Sequence, residues 1–304
     1  MSELIRYESQ DGCEHCLHMF AGDDPTAPVV LLFPAMGTPS PFYFDLAPAF
    51  AEQGLQFACT DLRGHGPMHA AASWSNDFGY HEMLSQDWPA ALKALRQRLP
   101  EAPVFLMGHS LGGQLNACFA SLLTPKEVEP EGELPVIRGL ILVASGNVHY
   151  KGYGNPYRVL WGTALLKWIS RIVGHMPGKW LGFAGREARG VIRDWQYTAK
   201  TGRYRIRQGK KFTNLDGKLS QMQTPIMAIT FDGDKYAPHR AMQNLLDKTH
   251  LADKRHWKTS ARDLKVKKLS HFSWVKQAEV LTPKLAEWIG FTLNRESRVR
   301  RVQP

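Results

Sequence analysis

One junction constrains this chain more than any other. An apolar run, Pro103-Val104-Phe105-Leu106-Met107, passes through Gly108-His109-Ser110-Leu111-Gly112 into a segment of helical composition, Gln114 to Leu123. A strand that turns at once into a helix around a single serine leaves no space for a Cβ at the flanking positions, and glycine stands at both. Such a nucleophile elbow holds its serine in strained backbone geometry, with the hydroxyl pushed clear of the sheet. The free N–H groups of the helix start lie beneath it, where they can receive an oxyanion. In a chain with this much glycine the pentapeptide alone is only moderately specific, so the strand before it and the helix after it carry the argument.

The rest of the chain repeats the strand–helix alternation. Ile5 to Phe20 reads as a hairpin turning at Gln10-Asp11-Gly12. Val29-Val30-Leu31-Leu32-Phe33 has the length and composition of a strand buried on both faces. A helix over Phe42 to Glu52 follows, stopped by Gly54. Gln56 to Thr60 is the next strand and runs into Asp61-Leu62-Arg63-Gly64-His65-Gly66. A helix from His81 to Arg98 ends before Pro100. Beyond the elbow, Pro125 to Pro135 is an acidic, proline-bearing loop, and Gly139 to Ala144 is another buried strand. The alternation then breaks over about 147–215. It returns with the strand Pro225 to Phe231, a helix near Arg240 to Lys248 and a terminal helix from Val275 to Leu293. Alternating elements of this kind predict a mostly parallel twisted sheet with right-handed crossovers and helices on both faces. The expected organisation is a core from 1–146 and 216–294, a mainly helical insertion at 147–215 after the sixth core strand, and a basic, disordered tail at 295–304.

With 304 residues, 43% of them hydrophobic, the chain has ample material for one large α/β core. The N-terminus lacks the apolar segment of a secretory signal, and no stretch is long and apolar enough for a membrane span. Cys13, Cys16, Cys59 and Cys118 are too few for a disulfide scaffold in a chain this size, so a cytoplasmic protein with reduced thiols is expected. Cys13-Glu14-His15-Cys16, with His18 nearby, supplies half a zinc site at best, because no second C-x-x-C pair appears and residues 13 and 16 of a strand face opposite sides. No metal and no cofactor are expected. The formal charge of +10 is unevenly spread. Residues 148–215 hold six lysines and eight arginines against Glu187 and Asp194, a local charge of +12, while the remainder is slightly acidic.

A serine hydroxyl needs a base within hydrogen-bond reach, and the base needs an orienting acid. The chain supplies candidates in the order Ser, acid, His. After the strand ending at Phe231 comes Asp232-Gly233-Asp234-Lys235-Tyr236-Ala237-Pro238, and near the C-terminus comes Leu269-Ser270-His271-Phe272-Ser273-Trp274. Together with the elbow and Asp61-Leu62-Arg63-Gly64-His65-Gly66, these segments resemble the α/β-hydrolase superfamily over nearly the whole chain except the insertion and tail. Phe33-Pro34-Ala35-Met36-Gly37, and Arg193-Asp194-Trp195 upstream of Tyr204, are similar to a bacterial group of predicted hydrolases close to serine-aminopeptidase-like and monoacylglycerol-lipase-like enzymes. The resemblance implies Ser110 as nucleophile, His271 as general base and Asp234 as orienting acid, with the backbone N–H groups of Leu111 and Met36 as the oxyanion hole. Asp232 is the alternative acid, although the spacing to Pro238 favours Asp234. Many members carry His-Gly where this chain has Pro34-Ala35, which removes a side chain that helps fix the oxyanion loop. His109, His65 and His81 read as structural, and Asp61 with Arg63 as an ion pair or turn lock.

In the insertion, Trp161, Leu165, Trp168 and Ile172 recur at helical spacing, with Lys167 and Arg171 off the stripe. Such a helix could lid an acyl pocket, lie on an anionic membrane surface or pack on the core. The first reading makes Trp161, Leu165 and Trp168 pocket residues. The positive charge could attract an anionic acyl substrate. No nucleic-acid motif accompanies it, so no nucleic-acid partner is expected. The implied activity is serine hydrolysis of a carboxylic ester with an apolar acyl group. Thioesterase, peptidase and acyltransferase activity use the same triad, and a non-catalytic ligand-binding role on this fold is the alternative of another kind.

Overall fold

The computed structural model describes residues 2–129, 132–182 and 184–302. Eight strands form the central sheet: β1 (Glu3–Glu8), β2 (Glu14–Phe20), β3 (Val29–Phe33), β4 (Gln56–Thr60), β5 (Val104–His109), β6 (Ile137–Val143), β7 (Ile226–Phe231) and β8 (Lys254–Thr259). Their spatial order is β1-β2-β4-β3-β5-β6-β7-β8. β2 runs antiparallel to both neighbours, and every other pair is parallel. The packing helices are α1 (Leu46–Ala51), α2 (Trp88–Arg98), α3 (Leu111–Leu122), α4 (Pro156–Val173), α5 (Arg189–Thr201), α6 (His239–Leu246) and α7 (Ala278–Val302).

The period of two along each strand divides the core into two layers. Val29, Leu31, Phe33, Val104 and Leu106 pack with Trp88, Leu92 and Leu95 of α2 and Leu115 of α3 on one face. Val30, Leu32, Phe105 and Met107 pack with Phe50 of α1 and Leu281, Leu285 and Trp288 of α7 on the other. Both faces are therefore buried, which is why β3, β5 and β6 are near-continuous apolar runs in the sequence. Each such side chain contributes roughly 1.5–3 kcal/mol on burial.

Two expectations need correction. β8, Lys-Arg-His-Trp-Lys-Thr, has no apolar run and was not foreseen; it is the outermost strand, paired on one side with β7, and an edge tolerates lysine and arginine that a central strand would not. The terminal helix does not stop at Leu293. α7 runs through Val302. Residues 294–302 contain neither glycine nor proline, and adding residues to an existing helix costs far less than nucleating one. Gln303 and Pro304 lie outside the described residues.

Between β6 and β7 the strand–helix alternation of the chain is interrupted by α4 and α5, which pack on each other, and by two short antiparallel strand pairs, His175–Pro177 with Arg186–Ala188 and Arg205–Gln208 with Lys211–Asn214. The start of α4 is set by Asn155, whose side chain accepts the Arg158 N–H at 3.0 Å ahead of Pro156. Its end is set by Gly174 at φ 85°. The insertion meets the loops at the carboxyl ends of the parallel strands. Gly185 abuts Gly37 beyond β3, Arg186 donates to the Ala72 carbonyl at 2.7 Å, and Asn147 donates to the Gly202 carbonyl at 2.9 Å.

Candidate active site

Ser110 sits at φ 52°, a left-handed conformation unfavourable for a residue with a Cβ, and caps the N-terminus of α3. Its surroundings enforce that strain. A Cβ on Gly108 would lie 2.3 Å from the Gly113 nitrogen, and one on Gly112 2.2 Å from the Phe33 carbonyl oxygen. The Ser110 N–H donates to the Val143 carbonyl at 3.0 Å, and the Ser145 hydroxyl donates to the Ser110 carbonyl at 2.6 Å. The turn is thus tied to the end of β6 as well as to β5, and the Ser110 side chain remains partly exposed.

Asp234 and His271 come from loops after β7 and β8. Asp234 Oδ2 accepts from His271 Nδ1 at 2.8 Å, and both residues are buried. The other carboxylate oxygen, Oδ1, accepts the Tyr236 N–H at 2.8 Å and the Ala237 N–H at 3.1 Å. Both oxygens are engaged, which fixes the carboxylate and leaves His271 Nε2 as the nitrogen available for proton transfer. Asp232 points elsewhere: it pairs with His239 Nε2 at 2.5 Å on an exposed surface. Among the described residues the Ser110 hydroxyl makes no hydrogen bond, so the expected contact between Ser110 and His271 is not closed in this structure. In ligand-free sites such contacts are commonly long and tighten with substrate.

The loop that carries Met36 is held by a residue the sequence reading did not single out. Ala35 donates its N–H to the Tyr43 hydroxyl at 2.9 Å, and that hydroxyl meets His109 Nδ1 at 2.8 Å. Both rings are fully buried. Burial, with a further contribution from His271, pushes His109 well below the ordinary histidine range, so its neutral ring accepts from Tyr43. Gly112 N–H donates to the Pro34 carbonyl at 3.1 Å. Tyr43 thereby anchors the loop at Pro34-Ala35 from its far side. With Ala35 N–H occupied, the N–H groups of Met36 and Leu111 have no acceptor among the described residues.

The remaining candidates are structural. Asp61 and Arg63 do not pair with each other. Asp61 accepts the Ser40 N–H at 2.6 Å, whereas Arg63 is bound to Asp87 and Asp11. His65 Nε2 meets Glu187 of the insertion at 3.1 Å, and His81 lies in a short helix, Tyr80–Glu82. Three aromatic rings missed in the sequence lie near His271: Tyr236 and Phe272 flank it with ring centroids 5.1 and 4.8 Å away, and Phe42 lies 6.3 Å from Phe272. All three are substantially exposed, forming an aromatic rim beside His271. Their only sequence signal is adjacency to candidate site segments.

Trp161, Leu165 and Trp168 do not form an enclosed wall. They are 69%, 56% and 62% exposed, while the opposite face of α4, with Thr163, Leu166 and Ser170, is turned toward the body. The two groupings close enough to share a cation, Cys13–His15–His69 and Cys16–His18–Asp61, include none of Ser110, Asp234 and His271.

Residues 24–257 match the serine aminopeptidase, S33 family. The chain belongs to that family of α/β-hydrolases. No curated protein matches it. Among solved structures it is similar to the α/β hydrolase GrgF from Penicillium sp. sh18, at 16% identity and TM-score 0.61, covering 97% of this chain and 98% of the other. A thermophilic esterase from Thermogutta terrifontis, malate bound, aligns at 15% identity and TM-score 0.59 over 96% and 99% of the two chains. The thioesterase domain from the curacin biosynthetic pathway aligns at 18% identity and TM-score 0.53 over 95% and 99%. These likenesses establish the shared fold; the S33 family membership makes the chain a hydrolase. No helix among the described residues is long and apolar enough to cross a membrane.

Proposed function

We propose that this hydrolase acts through Ser110, His271 and Asp234 on a carboxylic ester with an apolar acyl group. The observation that carries the proposal is the buried 2.8 Å pairing of Asp234 with His271 on the loops neighbouring a serine strained at φ 52°. Ser110 Oγ attacks the ester carbonyl while His271 Nε2 takes its proton. The negative oxygen of the tetrahedral intermediate is received by the N–H groups of Met36 and Leu111. His271 returns the proton to the departing alcohol, leaving an acyl-enzyme, and then activates the water that releases the acid. Phe42, Tyr236 and Phe272 favour an apolar group at the mouth. The insertion serves as a cap over the carboxyl edge of the sheet, and its positive charge draws in anionic substrates.

A fluorophosphonate probe followed by a panel of ester and thioester substrates tests this reading. Labelling should map to Ser110 and vanish in Ser110→Ala with little change in Tm. Asp234→Asn should lower kcat by about 10⁴-fold, because the imidazole loses its orienting partner and tautomer, while Asp232→Asn changes it little. Absence of labelling alongside tight, turnover-free ligand binding would instead establish a binding protein on the hydrolase fold. Preference for thioesters across the panel would move the substrate class but keep the triad.

A further inference from the structure

The geometry points to a zinc-binding site formed by Cys13, His15 and His69, on the turn and strand of the N-terminal hairpin and on the loop after β4. The ligand atoms of these three residues lie within 4.8 Å of one another. His15 is almost completely buried, while Cys13 and His69 are partly exposed, so an ion has a route in. The two imidazoles face each other through His15 Nδ1 and His69 Nε2, 2.8 Å apart.

What each ring does with its other nitrogen gives the arrangement its meaning. His69 Nδ1 is hydrogen-bonded to the His65 carbonyl oxygen, which only accepts, so Nδ1 carries a proton. His15 Nε2 lies 3.4 Å from the Asp87 carboxylate and 3.2 Å from the Ser9 hydroxyl. A carboxylate there places the second proton on Nε2. The two inward nitrogens then present lone pairs to each other and repel unless a cation lies between them. With metal, the same orientation is the usual outer shell of a histidine ligand, one ring oriented by a carboxylate and the other by a backbone carbonyl. One thiolate and two imidazoles form a nitrogen–sulfur set of the kind zinc takes in tetrahedral sites, with a fourth position open to water.

Cys13 and His15 alone are too few ligands for a site, and the missing one is not a second cysteine pair but a single histidine from a distant loop. The role fits a clip. The ion ties the β1–β2 hairpin to the loop after β4, and that loop carries His65, which meets Glu187 of the insertion.

The test uses the full chain, stripped with a chelator and titrated with Zn²⁺ and, separately, with Co²⁺. Zinc should bind one ion per chain and raise Tm, and cobalt should show a thiolate-to-metal charge-transfer band. Cys13→Ser should abolish the band and Cys16→Ser should leave it intact. His69→Ala, on a partly exposed loop, should weaken zinc binding by more than about 10-fold, since even an outer-shell partner is worth roughly 10–100-fold. Zinc binding with unchanged affinity in both Cys13→Ser and His69→Ala, or no binding to the stripped chain, would overturn the site. Ser110 labelling, measured in parallel, reports on the triad separately.

Discussion

Tyr43 is the residue whose role is most exposed to a single-atom test. Its hydroxyl takes the Ala35 N–H and contacts His109, so it ties the loop beneath Met36 to the elbow strand. Tyr43→Phe keeps the ring and removes that oxygen. A buried N–H left without an acceptor costs about 1–3 kcal/mol, which should appear as a lower Tm. The same loss frees the loop that positions the Met36 N–H. Activity should therefore fall in kcat with KM nearly unchanged, by less than the roughly 10²–10³-fold that follows loss of an entire oxyanion donor. Steady-state kinetics beside a thermal melt separate the two effects. A lower Tm with unaltered kcat would confine Tyr43 to the fold. The pairing of Asp234 with His271 was legible in the sequence because each follows a strand and the two come after Ser110 in the Ser-Asp-His order. Tyr43 was not, because an aromatic residue in a helical segment carries no mark of the backbone group it will bind.

At the scale of elements, α4 is where periodicity misdirects. Apolar residues at 157, 161, 165, 168 and 172 define one helical face, and the ordinary inference turns such a face toward a core or pocket. Here that face is open, and the helix docks through Thr163, Leu166 and Ser170, small or modest residues that permit close approach to α5. Hydrophobic spacing identifies an amphipathic helix but not what lies against either side. Replacing Trp161 and Trp168 together with serine should consequently shift stability by no more than about 0.5 kcal/mol per site, as for exposed positions. It should also reduce self-association, because it breaks up a contiguous apolar patch. Thermal melts and light scattering over a concentration series decide this. A large fall in Tm would mean the stripe is covered in solution. The strands show the opposite behaviour: β3, β5, β6 and β7 were readable because a strand buried on both faces must be apolar throughout, whereas β8, at the edge, could be spelled with lysine and arginine and passed unnoticed.

For the molecule as a whole, burial of neutral histidine contributes to the response to acid. His109 is fully buried, and both burial and the neighbouring His271 keep it well below its ordinary range. His256, on β8, is lowered to about 4 by burial and by Lys258 and His239. In the unfolded chain both rings titrate near 6.5. Below that pH the unfolded state binds protons that the folded state refuses, so it gains relative stability. The stability that depends on keeping these rings neutral is complete above about pH 6.5 and is lost as pH falls from there toward 4. The net charge of +10 at neutral pH adds in the same direction, since further protons increase repulsion within the compact state. Denaturant melts at a series of pH values between 7 and 4.5 should show stability falling with acid. His256→Gln should flatten that slope, because it removes one of the protons taken up on unfolding, whatever its effect at pH 7. His109 cannot be separated as cleanly, since its exchange also disturbs Tyr43 and the loop that carries Met36. An identical slope in the parent and in His256→Gln would assign the acid response to carboxylates losing their ion-pair partners, not to histidines gaining a charge they have no solvent to stabilise.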